Sequence, residues 1–252
     1  MAHHTRGRTG DGRAARRVRK GSKMAERLSS VPLFPLATVL FPHAAIYLHV
    51  FEPRYREMIA RCQETGNPFG VVLLRDGTEG GSDQEPYMVG TRARIHEVHT
   101  YPDGRLDVHA HGEDRFRIRA LDRDAAPYLV GRAEPLYEEE WDDGDEANSL
   151  LDHARNRFED LVRTVLAGRS FDVRVDFPED PVTLSFAIAN LIEMEPLAKQ
   201  RLLETTDTLE RLAEIVPELE NQIARTQSIR SEAEVEIRPL TLEDVRPDIF
   251  PN

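Results

Sequence analysis

Prolines interrupt the most apolar stretch near the start of this chain, and they limit what that stretch can form. Pro32, Pro35 and Pro42 lie within residues 31–42, where most of the other side chains are apolar. Proline fixes φ and removes a backbone N–H donor, so it is disfavoured inside helices and central strands. The spacing therefore predicts short edge strands and turns in place of a buried helix.

The next segment predicts a strand followed by a helix. Ile46, Leu48 and Val50 alternate with Tyr47, His49 and Phe51, and this period of two is typical of a half-buried strand. Pro53 suits the first turn of a helix that Gly66 is expected to end. Its apolar stripe consists of Tyr55, Met58, Ile59 and Cys62. Because Cys62 is the single cysteine, the sequence excludes an intramolecular disulfide and a cysteine-based zinc cluster, and we expect a buried thiol.

Further strands are predicted up to about residue 137. Residues 69–74, 87–99 and 106–111 have strand patterns, and the glycine and acids at 112–114 predict a turn that reverses the chain. Beyond that turn, Phe116 and Ile118 alternate with three arginines, Arg115, Arg117 and Arg119. We expect these arginines to form a solvated face paired with nearby acids. The alternative is a basic stripe that binds an acidic peptide or RNA phosphate.

An acidic run at residues 138–146 separates this β-rich region from a helical one. It holds seven acidic side chains, which repel one another and are expected to remain hydrated. The run is therefore interpreted as a linker between a β-rich unit at 30–137 and a helical unit at 147–230. Trp141, the only tryptophan, either anchors the linker to one unit or is an exposed contact residue.

Apolar residues at helical spacing predict four helices after the linker. Their predicted starts lie near Ala147, Pro181, Pro196 and Thr208. Pro217 is expected to kink or restart the last helix. Residues 231–252 lack periodicity and are interpreted as a loose C-terminal tail.

The net charge of −12 is unevenly distributed along the chain. Residues 1–28 carry a net charge of +7, and the remainder carries −19. Residues 1–29 are therefore interpreted as a disordered basic arm, which is either inert or a tail for nucleic acid. Met24 offers a third reading, in which translation starts there.

Taken together, these motifs resemble the Lon N-terminal domain, the substrate-recognition module of ATP-dependent Lon proteases, over about residues 31–216. The resemblance is carried by Val31–Leu36, Val39–Pro42, Val50–Tyr55, Phe69–Val72, Val89–Ile95, Tyr101–Arg105, Gly112–Phe116, Pro127–Leu129, Leu184–Ala189 and Lys199–Glu204. It implies an α+β fold, in which a PUA-like β-barrel with one helix is followed by an α-helical bundle.

The resemblance also implies a non-catalytic module that recognises unfolded or degron-bearing polypeptides. Such a module would be a stand-alone adaptor or regulator of protein quality control, with a Lon-type protease as a candidate partner. Lon proteases contain a phosphate loop, but none of the three lysines, Lys20, Lys23 and Lys199, follows a glycine-rich loop. We therefore expect no enzyme activity and no cofactor. A hydrolase with an unrecognised site is a weaker alternative.

Six residues are predicted as polypeptide-binding candidates: Phe34, Phe51, Glu52, Arg54, Tyr55 and Arg117. Glu52 has a structural alternative, which is to hold the corner between strand and helix. Most aromatic residues between positions 34 and 55 are expected in the core, and those that reach the surface would form the best patch for an unfolded chain. An RNA-binding PUA-like protein is the alternative function, although the charge of −19 outside the arm makes nucleic acid a poor partner.

Histidines are the remaining candidates for chemistry. His109 and His111 share one face of their strand, whereas the spacing of His96 and His99 predicts opposite faces. We expect solvated or hydrogen-bonded imidazoles and no metal site, because a catalytic zinc site usually needs three protein ligands. No apolar stretch is long enough to cross a bilayer, which predicts a cytoplasmic protein without a membrane partner.

Overall fold

A computed structural model describes residues 28–76, 84–141, 143–166 and 177–236 of the chain. Most of the predicted basic arm, including Met24, and residues 237–252 of the predicted tail lie outside the described residues. The described strands are β1 (Ser29–Leu36), β2 (Ala45–Val50), β3 (Phe69–Asp76), β4 (Glu85–Thr100), β5 (Leu106–Asp122) and β6 (Val130–Pro135). The described helices are α1 (Pro53–Thr65), α2 (Asp145–Leu166), α3 (Pro181–Leu191), α4 (Pro196–Glu204) and α5 (Thr208–Glu236).

Five strands close into a barrel, and the sixth extends from it. Neighbouring strands follow the order β5-β4-β3-β1-β6, and β6 pairs back onto β5 to complete the ring. The β1–β3 pair is parallel, whereas the others are antiparallel. β2 pairs with the first half of β5, outside this ring. The expected α+β fold with a small closed barrel is confirmed.

The prolines of β1 do not divide the segment as the sequence predicted, because β1 is one continuous strand. Residues 29–32 pair with β6, and residues 33–36 pair with β3. Each half therefore has one described partner strand, and the Leu33 N–H also donates to the Leu129 carbonyl at 2.8 Å, on the side away from β3. Because backbone groups alternate in direction along a strand, Pro32 and Pro35 each direct their nitrogen away from the strand with which they are paired, where a missing N–H donor costs no ladder hydrogen bond.

The predicted reversal at residues 112–114 is also wrong, since β5 runs unbroken from Leu106 to Asp122. A glycine is needed at position 112 because the segment that contains Phe41 crosses the strand closely. A Cβ on Gly112 would lie 2.3 Å from the Phe41 carbonyl oxygen. The His43 N–H donates to the Gly112 carbonyl (2.9 Å), and the Gly112 N–H donates to that of Ala44 (2.8 Å). The register with β4 shifts at this point, so the strand changes partners without turning back.

Helix α1 lies against the barrel as its apolar stripe predicted. Tyr55, Met58, Ile59 and Cys62 are buried, and Gly66 ends the helix with a left-handed φ of 68°. The Tyr55 ring stacks on Phe34 at 4.2 Å between centroids. Burial raises the pKa of the Cys62 thiol to about 11, so it is protonated at neutral pH.

The helical region follows the predicted starts closely. Asp180 caps α3 by accepting a hydrogen bond from the Thr183 N–H at 2.8 Å. α5 is not restarted at Pro217, and it continues into the predicted tail as far as Glu236. Trp141 is half-buried against the main core, which supports its role as an anchor of the linker. None of the helices in these ranges has both the length and the apolar character that a bilayer span needs.

The barrel and the helices meet at a buried junction of two arginines and one glutamate. Arg115 and Arg211 are almost fully buried, and both donate to the carboxylate of Glu138. Both also donate to the Thr205 carbonyl at the end of α4, each at 2.7 Å, and Arg115 donates to the Leu203 carbonyl at 2.5 Å. Burial lowers the pKa of Arg115 to about 10, which leaves its guanidinium charged at neutral pH.

Further contacts surround the two guanidiniums of the junction. Both guanidiniums contact the Phe186 ring, whose centroid lies 4.0 Å from Cζ of Arg211 and 5.1 Å from Cζ of Arg115. Arg211 also donates to Ser185 (2.8 Å) and Thr208 (2.9 Å). The interpretation of the acidic run as fully hydrated is therefore wrong at Glu138, whose carboxylate two buried cations hold in place.

Candidate functional site

The outer face of a three-stranded ribbon is the candidate site. The ribbon consists of β2, residues 106–112 of β5 and residues 94–100 of β4. Its inner face belongs to the core through residues such as Val50, Val108 and Ala110. On the outer side Tyr47 is 76% exposed, and Phe51 at the end of β2 is 61% exposed. Both are large aromatic side chains left largely in water, although the core lies directly behind the ribbon.

Five histidines accompany these aromatic residues: His49, His96, His99, His109 and His111. The prediction that His96 and His99 lie on opposite faces is wrong. A register shift between Ile95 and Glu97 inserts His96 as an extra residue, which brings it onto the outer face. The His96 ring lies 5.5 Å from that of His109 and 5.6 Å from that of His111, while His99 contacts Tyr101 at 4.8 Å.

Tyr47 and His109 form the centre of this histidine–aromatic face. Their rings stack in parallel, with 4.4 Å between centroids and 4° between planes. A shallow cavity of about 580 Å³ opens beside them. It is lined by Tyr47, Leu48, His49, Glu97, His99, Asp107, Val108 and His109. The cavity thus combines aromatic surface with groups that donate and accept hydrogen bonds.

One carboxylate on this face is held in a fixed geometry. Asp107 accepts a hydrogen bond from the Tyr101 hydroxyl and contacts Nδ1 of His49, both at 2.6 Å. The bond from Tyr101, and then the one from His49, lower the pKa of Asp107. The same bond raises the pKa of Tyr101 because it stabilises the protonated phenol. Asp107 therefore stays ionised at neutral pH and restrains two aromatic neighbours.

Within the described ranges, no group of three or more His, Cys, Asp or Glu side chains is arranged to hold a metal ion. The histidine rings contact one another and the tyrosines, and His49 also lies 3.5 Å from an Arg105 nitrogen. The arrangement suits binding by stacking and hydrogen bonding.

The six predicted binding candidates do not form one site. Phe34 and Tyr55 stack inside the core, and the Tyr55 hydroxyl donates to Gln84 at 3.0 Å. Glu52 precedes α1 and accepts a hydrogen bond from Arg54 at 3.0 Å without capping the helix. These contacts support the structural alternative for the corner. Of the six, only Phe51 belongs to the outer face of the ribbon.

The predicted arginine face is divided between different environments. Arg115 belongs to the buried junction, so its expected solvation is wrong. Arg117 is half-buried on β5, and the exposed Arg119 donates to Glu134 at 2.9 Å. The acids at 113 and 114 pair instead with Arg94 and Arg92 of β4. The three arginines therefore do not make a continuous exposed basic stripe.

The sequence did not identify Tyr47, Asp107 and His96 as members of one site. Tyr47 and His49 have the same parity in β2, which was a usable signal for a shared face. The bulge that moves His96 leaves no such signal in the histidine spacing.

Comparison with known proteins defines the family. Residues 30–221 match the family described as the ATP-dependent protease La (LON) substrate-binding domain. The chain is 27% identical over 200 residues to Lon protease 1 of Thermus thermophilus, covering 77% of this chain and 25% of that protein. It is 29% identical over 206 residues to the Lon protease of Escherichia coli K12, covering 79% of this chain and 25% of that protein.

A solved structure gives the same result. The Lon N-terminal domain protein from Xanthomonas campestris superposes with a TM-score of 0.57 at 30% identity, and the match covers 75% of this chain and 98% of that one. The chain spans about a quarter of the length of the two Lon proteases. The matched family region includes the whole barrel, the junction and most of the helices. The chain therefore belongs to the family of the Lon substrate-binding domain.

Proposed function

We propose that this chain recognises unfolded or degron-bearing polypeptides through its histidine–aromatic face, as a non-catalytic adaptor or regulator of protein quality control. The observation that carries the proposal is the exposure of Tyr47 and Phe51 on a ribbon backed by the core. The description of the matched family as a substrate-binding domain is in agreement with this proposal. A Lon-type protease as partner, and a cytoplasmic location, stay predictions.

Physical chemistry favours an apolar ligand at this face. Fully burying one large apolar side chain contributes about 1.5–3 kcal/mol, and aromatic residues dominate the affinity of many interfaces. The imidazoles around Tyr47 donate and accept hydrogen bonds, so they suit the peptide groups of an extended chain. Arg119, the exposed member of the predicted basic stripe, is already paired with Glu134. RNA binding is therefore the less supported alternative.

The test is binding of a permanently unfolded protein, measured by fluorescence anisotropy. The probe is fluorescein-labelled lactalbumin that has been reduced and carboxymethylated. We expect the double variant Tyr47→Ser with Phe51→Ser to weaken binding at least about tenfold, because it removes both exposed aromatic rings. Raising the salt concentration from about 0.05 to 0.5 M should change the affinity little, because apolar burial is not screened.

Tyr137→Ser is the matched control, since Tyr137 is also an exposed aromatic residue but lies outside the ribbon. It should leave the affinity unchanged. Equal losses in the control and in the double variant would contradict the proposed site. Salt-sensitive binding of a labelled oligouridine, with no binding of the unfolded protein, would favour the RNA alternative.

A further inference from the structure

The outer edge of β2 has no partner strand among the described residues, which bears on how a polypeptide would bind. β2 is the terminal strand of the sheet order and is hydrogen-bonded only to β5 in the described part of the chain. Its sequence, Ala45–Val50, contains no charged residue and no proline. Exposed strand edges usually carry lysine, proline or a bulge, because an open edge is a template for another strand.

The opposite edge of the same ribbon shows those protective features. Residues 94–100 of β4 extend past the end of their pairing with β3, which stops at Ala93. This edge carries the charged Arg94 and Glu97, and the bulge at His96 interrupts its regular spacing. Two edges of one ribbon thus differ: the β4 edge is protected against another strand, and the β2 edge is not.

Hydrogen bonds at the start of β2 show which backbone groups face the open edge. The Gly112 N–H donates to the Ala44 carbonyl, so the backbone carbonyl of Ala44 faces β5. Backbone groups that face the partner strand recur every second residue in an antiparallel ladder. Ile46 is paired with Ala110, two residues along the ladder from Ala44 and Gly112, so residues 46, 48 and 50 direct their backbone groups toward β5. Those of Ala45, Tyr47 and His49 therefore point outward.

We propose that an extended segment of the bound polypeptide adds to β2 as a further strand, hydrogen-bonded to the backbone of Ala45, Tyr47 and His49. Side chains on one face of that strand then lie over the histidine–aromatic face, since Tyr47 and His49 project there. The preferred ligand has apolar or aromatic residues at alternate positions and no proline. This inference rests on the proposed function and specifies its substrate class.

A second copy of this chain is a poorer occupant of the same edge. A six-residue strand spans about 20 Å, and pairing two such strands edge to edge buries far less than the roughly 1,200 Å² of a specific protein interface. A flexible segment is not restricted to the edge, because its side chains also reach Tyr47, His109 and the cavity beside them. The area available to it is correspondingly larger.

The test uses a labelled peptide of about ten residues with phenylalanine or valine at odd positions and serine or arginine at even positions. Two further peptides have the same side chains but carry N-methyl groups at either the odd or the even positions. Only every second N–H of an added strand faces β2. One methylated peptide should therefore bind at least about tenfold more weakly than the parent, and the other within about threefold. Equal affinities of the two would overturn strand addition.

A substitution in the protein, Ala45→Pro, complements the peptide variants. It removes an outward N–H and leaves the backbone hydrogen bonds between β2 and β5 in place. We expect at least about tenfold weaker binding of the parent peptide, while Ala45→Ser, which keeps the N–H, binds within about threefold. Circular dichroism and thermal unfolding check that both variants fold. Unchanged binding by a folded Ala45→Pro variant overturns the inference. Sedimentation equilibrium of the full chain gives a second check: if the native protein is a dimer and Ala45→Pro dissociates it, the edge of β2 is occupied by a second copy and the inference is also overturned.

The outcome also separates this inference from the proposed function. If the unfolded protein binds through Tyr47 and Phe51 but the methylated peptides are equivalent, recognition by side chains stands and strand addition is wrong. If neither the unfolded protein nor the parent peptide binds, the proposed function itself is wrong.

Discussion

The buried junction and the histidine–aromatic face use similar side chains in opposite ways. At the junction, two guanidiniums contact the ring of Phe186 and share the carboxylate of Glu138. On the ribbon, Tyr47 stacks on His109 and most of its ring remains in water. The junction is enclosed by its own partners, whereas the face has apolar surface and a strand edge still without partners in the described residues.

This difference indicates which part holds the molecule together and which part is available for a ligand. Arg115 and Arg211 connect β5, the linker and the end of α4, so the junction fixes the helices against the barrel. Removing a group there leaves buried charge without a partner, which is costly. Truncating an exposed ring costs little folding energy, because the ring gains little burial on folding.

The largest expected effect comes from Glu138→Ala. This change leaves two buried guanidiniums without a counter-ion, so we expect a loss of about 3–5 kcal/mol in the free energy of unfolding, measured with urea. Glu134→Ala is a closely matched control. The side chains of Glu134 and Glu138 are both 23% exposed, but the partner of Glu134, Arg119, is 52% exposed and that of Glu138, Arg115, only 1%.

The control should lose no more than about 1 kcal/mol, as is usual for a pair with an exposed partner. Similar losses in both variants would show that burial of the arginines does not set the strength of the junction. Neither variant should change the affinity for an unfolded polypeptide while the protein remains folded, since Tyr47 and Phe51 lie elsewhere.

A smaller effect is expected at Gly112, where the ribbon joins the barrel. The methyl group of Gly112→Ala would overlap the Phe41 carbonyl, and relief of this overlap must move backbone. We expect a loss of about 1–3 kcal/mol in the free energy of unfolding, together with weaker polypeptide binding because β2 shifts relative to β5.

Gly66→Ala is the control for Gly112→Ala. A Cβ at Gly66 meets nothing within 4 Å, so its cost comes only from the left-handed φ of 68° and should be about 1 kcal/mol. Binding should be unaffected. If Gly66→Ala weakened binding as much as Gly112→Ala, the ribbon would not depend on the close crossing at Gly112.

Local patterns in the sequence predicted most of the secondary structure. The strand at 46–51, the apolar stripe of α1 and the cap at Asp180 all depend on residues within a few positions of one another. Such signals are readable because side-chain period and capping are local properties. The same locality explains the error at Gly112: a glycine followed by two acids resembles a turn, and the segment that crosses it lies about 70 positions earlier.

The junction and the site depend on contacts that a sequence does not display. The burial of Arg115 requires Glu138, Thr205 and Arg211, which lie between 23 and 96 positions away. Period two correctly placed Phe116 and Ile118 in the core, but it assigned Arg115 to solvent because it does not account for helices covering the strand. A single inserted residue reversed the expected orientation of His96, since a bulge changes the parity of a strand.

The smallest expected effect concerns Asp107 on the ribbon and is measured as a pKa. Tyr101→Phe removes the hydrogen bond that contributes most to lowering the pKa of Asp107, so that pKa should rise toward its ordinary value. A group with a lowered folded-state pKa stabilises the protein above its unfolded pKa, and this contribution is lost as pH falls through the folded value. The stability difference between the native protein and the variant should therefore be present at neutral pH and shrink below about pH 4.

Carbon-detected NMR titration of the aspartate side chains measures this change directly. Asp103 is the internal control, because the backbone N–H of Arg105 is the main cause of its lowered pKa and no hydrogen bond from Tyr101 contributes to it. Its pKa should stay the same in the variant. An unchanged pKa at Asp107 would mean that the Tyr101 hydrogen bond does not set it, and its contact with His49 would then be the main one that holds the carboxylate. Because the bond lies on an exposed surface, the accompanying change in stability should be small compared with the loss expected at the junction.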